Sequence, residues 1–237
     1  MAAPRLLLLS NSRNVGQGYL EHAGDAITDF LGGVKTALFI PYAAVRVSYD
    51  DFTALAGARL RELGCEIAPI HRMRSARAAV LRAEAIIVGG GNTFRLIQLL
   101  HRRKLVTAIR SRVRAGIPYI GWSAGANVAC PTIRTTNDMP IVEPLSLNAM
   151  GLVPFQINPH YLDGHPAGHG GETREERLLE FIAANPAVHV VGLREGSILR
   201  VEGRRLTLLG GKPARIFRGG REPWEVAPSD DLRFVMR

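Results

Sequence analysis

The chain contains 237 residues, of which 46% are hydrophobic, and it carries a formal net charge of +9. This length and composition fit one globular domain over residues 1–237 and exclude a disordered chain. The 30 basic residues are scattered, with no run longer than Arg102-Arg103-Lys104 and no interleaved aromatics, which argues against a nucleic-acid partner.

The first predicted element, a strand over Arg5–Leu9, bears on where the protein resides. Its apolar run, Leu6–Leu9, is far too short for the core of a signal peptide or for a membrane span. Neither Cys65 nor Cys130 has a second cysteine at metal-ligand spacing, and two cysteines do not form a disulfide framework. We therefore expect a cytoplasmic protein with reduced cysteines and no contact with a membrane.

Strands and helices then alternate along the first half of the chain. The predicted elements are a helix over Tyr19–Leu31, a strand over Lys35–Ile40, a helix over Tyr49–Leu63, a strand over Cys65–Ile70, a short helix over Ala76–Arg82, a strand over Ala85–Val88, and helical segments over 96–100 and 106–113. This alternation predicts an α/β fold in which a mostly parallel sheet carries helices on both faces. In such sheets, chemistry gathers beyond the carboxyl ends of the strands.

A glycine turn, Gly89-Gly90-Gly91-Asn92, directly follows the predicted strand Ala85–Val88. Backbone N–H groups that no side chain shields can approach an oxyanion closely, so Gly91 is a candidate oxyanion donor. The alternative is a phosphate-binding loop, but the turn lacks the Walker lysine and the full Gly-x-Gly-x-x-Gly spacing.

The next predicted strand, Ile117–Ile120, leads directly into Gly121-Trp122-Ser123-Ala124-Gly125. A serine on a sharp turn between a strand and a helix projects its hydroxyl away from the backbone, and such a turn requires small flanking residues. Ser123 is therefore the candidate nucleophile, and the N–H of Ala124 is the second candidate oxyanion donor. The alternative for so short a pattern is a chance match.

The second half of the chain is less regular. A loop-rich region over 132–144 precedes the predicted elements: a strand over Leu152–Ile157, a helix over Arg174–Ala184, a strand over Val188–Leu193, hairpin strands over Ile198–Val201 and Leu206–Leu209, and a strand over Ala214–Phe217. The short spacing near the C-terminus predicts antiparallel hairpin strands appended at the edge of the sheet.

A serine nucleophile needs a base, and the base needs an acid that orients it. His160 is the candidate base, because it follows a predicted strand and is expected to lie in a loop at the strand end. Asp138 and Glu195 are the candidate acids, and sequence order does not choose between them. His165 and His169 lie in a glycine-rich loop and are weaker candidates for metal or substrate contacts.

Four blocks of the sequence occur together in one known family: Gly89–Phe94, Gly121–Val142, Gln156–His160 and Gly168–Glu175. In content and order they resemble peptidase E, the cytoplasmic α-aspartyl dipeptidases of bacteria. The resemblance implies the flavodoxin-like fold of class I glutamine amidotransferases and a serine peptidase that needs no cofactor or metal. It makes Ser123 the nucleophile, His160 the base and either Glu195 or Asp138 the acid. It also implies a homodimer.

The resemblance further implies dipeptide substrates that begin with aspartate and are cleaved through an aspartyl-enzyme intermediate. We expect Arg174 to pair with the aspartate carboxylate, Asn92 to add a donor, and Glu172 or Glu175 to hold the free amine. One alternative is a cyanophycinase-like peptidase that cleaves β-aspartyl linkages. Another is an esterase of the α/β-hydrolase type, and a third is a non-catalytic protein that binds small anionic ligands.

Overall fold

Eleven strands and seven α-helices form the part of the chain that the computed structural model describes, residues 3–164, 168 and 170–236. The strands are β1 (Arg5–Leu9), β2 (Thr36–Ile40), β3 (Glu66–Pro69), β4 (Ile86–Val88), β5 (Tyr119–Trp122), β6 (Gln156–Tyr161), β7 (Val190–Arg194), β8 (Ile198–Glu202), β9 (Arg205–Leu209), β10 (Ala214–Phe217) and β11 (Trp224–Val226). The helices are α1 (Gly24–Leu31), α2 (Tyr49–Glu62), α3 (Ala76–Arg82), α4 (Thr93–Arg102), α5 (Val106–Arg114), α6 (Ala124–Asn127) and α7 (Arg174–Ala184). Short 3₁₀ helices cover Glu21–Ala23, Ile70–Arg72 and Arg233–Met236.

A seven-stranded sheet in the order β3-β2-β4-β5-β1-β8-β9 forms the centre of the protein. Its first five strands are parallel, and β8 and β9 continue it as an antiparallel hairpin beside β1. The carboxyl ends of β4, β5 and β1 therefore meet at one edge of the sheet, where the turns that follow β4 and β5 lie side by side.

Both faces of this sheet are buried, which explains why its strands are continuous apolar runs. In β1, Leu6 and Leu8 belong to the core on one face, and Leu7 and Leu9 belong to the core on the other. Residues from α3, α4, α5 and α6 fill the first core, and residues from α1 and α2 fill the second. The predicted arrangement of helices on both faces is present.

A second sheet in the order β11-β10-β7-β6 lies beyond the first. Strands β6 and β7 are parallel, and β10 and β11 extend the sheet in antiparallel fashion. Helix α7 covers it, with Leu178 and Ile182 buried in one small core together with Val190 and Phe217. Among the predicted C-terminal strands, β8 and β9 thus join the edge of the main sheet, whereas β10 belongs to the second sheet.

The strand predicted over Leu152–Ile157 is wrong in position, because the observed strand is β6, Gln156–Tyr161. The apolar residues Leu152, Val153 and Phe155 are buried but form no strand, so their pattern reports burial rather than pairing. No helix in the described ranges is long and apolar enough to cross a membrane.

Candidate active site

Ser123 occupies a sharp turn between β5 and α6. Its φ of 52° and ψ of −111° define a conformation that residues with a Cβ rarely adopt. Close backbone contacts require both flanking glycines: a Cβ on Gly121 would lie 2.4 Å from Gly125 O, and a Cβ on Gly125 would lie 2.2 Å from Val88 O. The Ser123 N–H donates to Leu9 O at 3.0 Å. The turn therefore has the strained geometry that the Gly-x-Ser-x-Gly pattern predicts.

The glycine turn that follows β4 lies directly beside this serine. A Cβ on Gly90 would lie 3.1 Å from the Ser123 Cβ, and a Cβ on Gly91 would lie 2.3 Å from Ala43 O. A side chain therefore does not fit at either position. Within the described residues, the N–H groups of Gly91 and Ala124 donate no hydrogen bond to the protein. Both N–H groups are free to bind an oxyanion.

The imidazole of His160 links Ser123 to Glu195. Its Nε2 lies 3.1 Å from Ser123 Oγ, and its Nδ1 lies 2.7 Å from Glu195 Oε1. When Nδ1 carries the proton and donates to the carboxylate, Nε2 is the acceptor that a serine hydroxyl needs. The side chains of His160 and Glu195 are 39% and 38% exposed, so a small molecule can reach them. The three groups have the spacing of a nucleophile, a base and an orienting acid.

His160 does not lie in a loop after its strand, as expected from the sequence, but inside β6. The pairing of β6 with β7 shifts register between Pro159 and Tyr161, and His160 has a φ of 55°. This bulge is the physical reason for the difference, because it turns one residue out of the ladder while the strand continues. The imidazole is thereby directed at Ser123, which follows β5 of the seven-stranded sheet.

Two polar residues at the carboxyl end of β1 hold the base and the acid in place. The fully buried Ser10 donates from Oγ to Leu193 O at 2.7 Å and accepts from the His160 N–H at 2.8 Å. Its neighbour Asn11 accepts from the Gly196 N–H at 2.8 Å. Neither residue was predicted from the sequence. Polar residues directly after a buried strand of such a sheet are typical of a functional site, and this pattern could have indicated them.

Replacing Ser10 with alanine is expected to lower kcat about 10- to 100-fold with little change in KM, because the bulge at His160 loses its anchor. Leu193 O and the His160 N–H each lose a hydrogen bond, which should lower the free energy of unfolding by about 1–3 kcal/mol. Steady-state kinetics across pH and thermal denaturation measure the two effects. The matched control is Ser229→Ala on an exposed loop. A variant that loses stability but retains full kcat at every pH contradicts a positioning role for Ser10.

The match to one protein family covers most of the chain. The sequence model of peptidase family S51 matches residues 6–209. The chain belongs to peptidase family S51. Two similar proteins, both named peptidase E, come from Nostoc sp. and Streptomyces coelicolor. The first is 49% identical over 233 residues, covering 98% of this chain and 96% of that protein. The second is 52% identical over 228 residues, covering 96% of this chain and 93% of that protein.

Solved structures share the fold of this S51 peptidase. A putative peptidase E protein from Listeria monocytogenes EGD-e matches with a TM-score of 0.66 at 23% identity, covering 88% of this chain and 99% of that chain. A peptidase from an acI-B1 Actinobacterium matches with a TM-score of 0.69 at 18% identity, covering 98% of this chain and 97% of that chain. The predicted fold class, a flavodoxin-like α/β fold with a mostly parallel sheet, is confirmed.

Together the family and the near-full-length relatives make the chain a serine-type dipeptidase, as expected from the sequence. Neither a peptidase for β-aspartyl linkages nor a non-catalytic binder of small anions is favoured by these similarities.

The other candidate acid of the peptidase, Asp138, forms no hydrogen bond with His160. Its Oδ2 accepts hydrogen bonds from the Thr93 N–H at 2.7 Å, the Thr93 hydroxyl at 2.5 Å and the Thr136 hydroxyl at 3.1 Å. These contacts place its negative charge at the N-terminal end of α4, where the helix dipole favours an anion. The geometry thus favours Glu195 as the acid, and the role itself remains a prediction.

Arg174 is the first residue of α7, and its side chain is half-buried. Burial lowers the pKa of its guanidinium, the nearby positive charge of Arg177 lowers it further, and Asp138 raises it. In the described ranges Arg174 donates no hydrogen bond to any protein acceptor. A partly desolvated guanidinium at the positive end of a helix is unfavourable on its own, so a bound carboxylate would stabilise it.

The remaining predicted substrate contacts are engaged with protein groups. Asn92 caps α4 by accepting from the Arg95 N–H, and its amide donates to Met139 O at 2.8 Å. Glu175 accepts from the Tyr161 hydroxyl at 2.9 Å and forms an ion pair with Arg215 at 3.1 Å. The exposed Glu172 lies 3.6 Å from Arg177. Of the two glutamates, only Glu172 has a carboxylate without a close hydrogen bond within the described residues.

No metal centre is evident in this part of the peptidase. The described residues contain no group of three or more histidines, cysteines, aspartates or glutamates arranged to hold a metal ion. His165 and His169, the histidines considered above, lie outside the described residues.

Proposed function

We propose that this dipeptidase hydrolyses Asp-Xaa dipeptides at the bond that follows an N-terminal α-linked aspartate. The observation that carries the proposal is the hydrogen-bonded series Ser123–His160–Glu195, with distances of 3.1 Å and 2.7 Å. The guanidinium of Arg174, which donates no hydrogen bond to the described part of the chain, supports it. The hydroxyl of Ser123 is the nucleophile of the proposed reaction, and the positive charge of Arg174 accounts for the proposed preference for an acidic first residue.

In the first step, Ser123 Oγ attacks the carbonyl carbon of the aspartyl residue while its proton moves to His160 Nε2. Glu195 stabilises the imidazolium through Nδ1, and the N–H groups of Gly91 and Ala124 stabilise the negative charge on the carbonyl oxygen. Collapse of this intermediate breaks the C–N bond. The leaving amine takes the proton from Nε2, and aspartate remains bound to Ser123 as an ester.

In the second step, water replaces the departed amine and gives one proton to His160 Nε2 as it attacks the ester carbonyl. A second oxyanion forms in the same place and collapses, and Ser123 leaves with the proton returned from His160. The products are free aspartate and the second amino acid. Apart from water, the proposed chemistry uses only side-chain and backbone groups of this chain.

Replacing Arg174 with methionine is expected to lower kcat/KM for Asp-Leu about 10- to 100-fold, because a charge-assisted pair with the substrate carboxylate is lost. The rate for Asn-Leu, which lacks that carboxylate, should change little. Parallel assays of Asp-Leu, Asn-Leu, Glu-Leu and β-Asp-Leu measure both the preference and the linkage that is cleaved.

The control for this experiment is Arg177→Met, which removes an exposed arginine from the same helix. An unchanged ratio of Asp-Leu to Asn-Leu rates in Arg174→Met would remove Arg174 from substrate recognition. Equal cleavage of Asp-Leu and β-Asp-Leu by the unmodified enzyme would overturn the proposed linkage specificity.

We also propose that the enzyme is a homodimer. Support comes from Val45, Val47 and Ile141, which are 56%, 53% and 51% exposed and line one apolar groove of ≈ 470 Å³ that reaches Gly91. An exposed apolar surface of this kind is typical of a protein interface. Light scattering should give twice the chain mass, and Ile141→Glu should reduce it to the monomer mass, whereas Leu81→Glu on α3 should not. A monomeric unmodified protein contradicts the assembly.

The cytoplasm is the proposed location, and residues 1–237 are proposed to form one domain. Reduced cysteines support the location, because Cys65 and Cys130 are both buried and unpaired. The hydrogen bonds of Ser10 to residues of β6 and β7 support the single domain, since they join the two sheets.

A further inference from the structure

A second cavity lies at the opposite end of β7 from Glu195. It has a volume of ≈ 700 Å³ and is lined by Ala187, His189, Arg218, Arg221, Trp224 and Phe234. Ala187 and His189 precede β7, whereas Glu195 directly follows it, so about 15–20 Å of strand separates the cavity from the catalytic groups. The volume lies within the range of pockets that hold small molecules, about 300–1,000 Å³.

Two guanidinium groups, those of Arg218 and Arg221, line this cavity. No acidic side chain of the described residues forms an ion pair with Arg218 or Arg221. Nη1 of Arg218 lies 2.9 Å from Nε2 of His189, which is only 6% exposed. Burial lowers the pKa of His189, and the positive charges of Arg218 and Arg221 lower it further. The two guanidinium charges, which pair with no acidic side chain of the described residues, favour an anion in the cavity.

The other walls of the cavity are aromatic rings. The ring centroids of Trp224 and Phe234 are 5.8 Å apart, and those of His189 and Phe234 are 5.7 Å apart. Arg221 lies over Trp224, with 6.0 Å between the guanidinium carbon and the ring centroid. Flat rings such as these bind another planar ring by stacking, a contact that a simple inorganic anion cannot use.

We propose that this cavity is a second binding site, separate from the catalytic one, for a small anion that carries a planar ring. The guanidinium groups of Arg218 and Arg221 bind the anionic group, and Trp224 and Phe234 hold the ring. A nucleoside monophosphate combines both features and is the probe for the test.

Titration calorimetry of the full-length protein tests the proposal with adenosine monophosphate, inorganic phosphate and adenosine as separate ligands. Adenosine monophosphate should bind with a Kd at least about tenfold lower than either fragment. Arg218→Met and Arg221→Met should each raise that Kd about tenfold or more, and Trp224→Leu should raise it about fivefold or more. Because Arg221 is exposed, Arg221→Met tests the site even if Arg218→Met fails to fold.

Two controls distinguish this site from the catalytic one. Arg174→Met should leave the Kd of adenosine monophosphate unchanged, and Arg218→Met and Arg221→Met should leave hydrolysis of Asp-Leu unchanged without ligand. Absence of saturable binding below about 1 mM would overturn the proposal, because the affinity would then fall short of about 4 kcal/mol. Binding that is lost in Arg174→Met and retained in Arg221→Met would overturn it as well, since the ligand would occupy the catalytic site.

Discussion

Replacing Ser123 with alanine is expected to reduce kcat for dipeptide hydrolysis about 10⁴- to 10⁶-fold, with KM changed little. The hydroxyl is the atom that forms the covalent intermediate, and water in its place has neither its position nor its contact with His160. Alanine keeps the same Cβ at a φ of 52°, so the strain of the turn is unchanged and the fold should be retained. Steady-state assays of Asp-Leu, with thermal denaturation as the folding control, measure the effect.

No other nucleophile near the turn should replace this serine. Cys130, seven residues along the chain, is fully buried, and burial raises the pKa of its thiol to about 12. Ser123→Ala should therefore also lose all labelling by a serine-directed fluorophosphonate probe. Hydrolysis that persists in folded Ser123→Ala at more than about one hundredth of the original rate would exclude the proposed mechanism.

Replacing Glu195 with glutamine is expected to lower kcat about 10²- to 10⁴-fold. The glutamine NH₂ can donate to Nδ1 of His160, which favours the tautomer with the proton on Nε2, where no proton can be accepted from Ser123. Asp138→Asn is the matched variant, because it also converts a carboxylate to an amide. The amide oxygen of the new asparagine can still accept hydrogen bonds from Thr93. We therefore expect kcat of this variant to fall less than about tenfold.

The pH profile of kcat/KM adds a second measurement. Loss of the orienting carboxylate leaves the imidazole of His160 in the wrong tautomer at every pH, so kcat/KM of Glu195→Gln should stay low across the whole pH range. A larger loss of kcat in Asp138→Asn than in Glu195→Gln, with both proteins folded, would reverse the choice of acid.

The elbow could be predicted from the sequence because its requirements are local. Gly121 and Gly125 are each fixed by contacts within a strand–turn–helix unit and the adjoining β4. The same holds for β1, α3 and α7, whose observed bounds equal the predicted ones. The periodicity of the apolar residues and the capping residues determine such elements, and both can be recognised in a short window of sequence.

The assembly of the second sheet could not be predicted in this way, although β10 was predicted with its observed bounds, because β6 and β7 pair across a long stretch of chain. Nothing local indicates that a strand continues beyond Ile157, since Asn158, Pro159 and His160 follow at adjacent positions. Tertiary hydrogen bonds satisfy these residues: Asn158 donates to Thr135 O at 2.9 Å, and the His160 N–H donates to Ser10. For the same reason the sequence could not choose between Asp138 and Glu195. The choice depends on which carboxylate lies beside His160 in the folded chain, and that carboxylate is the one of Glu195.

The bulge in β6 has a consequence for how the enzyme loses activity. The nucleophile and the oxyanion donors follow strands of the main sheet, whereas the base lies in a strand of the second sheet and its acid follows another. Three hydrogen bonds link Ser10 and Asn11 to the segments around His160 and Glu195, and apolar residues of both sheets pack into one shared core. The distance from His160 to Ser123 therefore depends on the packing of the two sheets against each other, so loss of that packing should inactivate the enzyme.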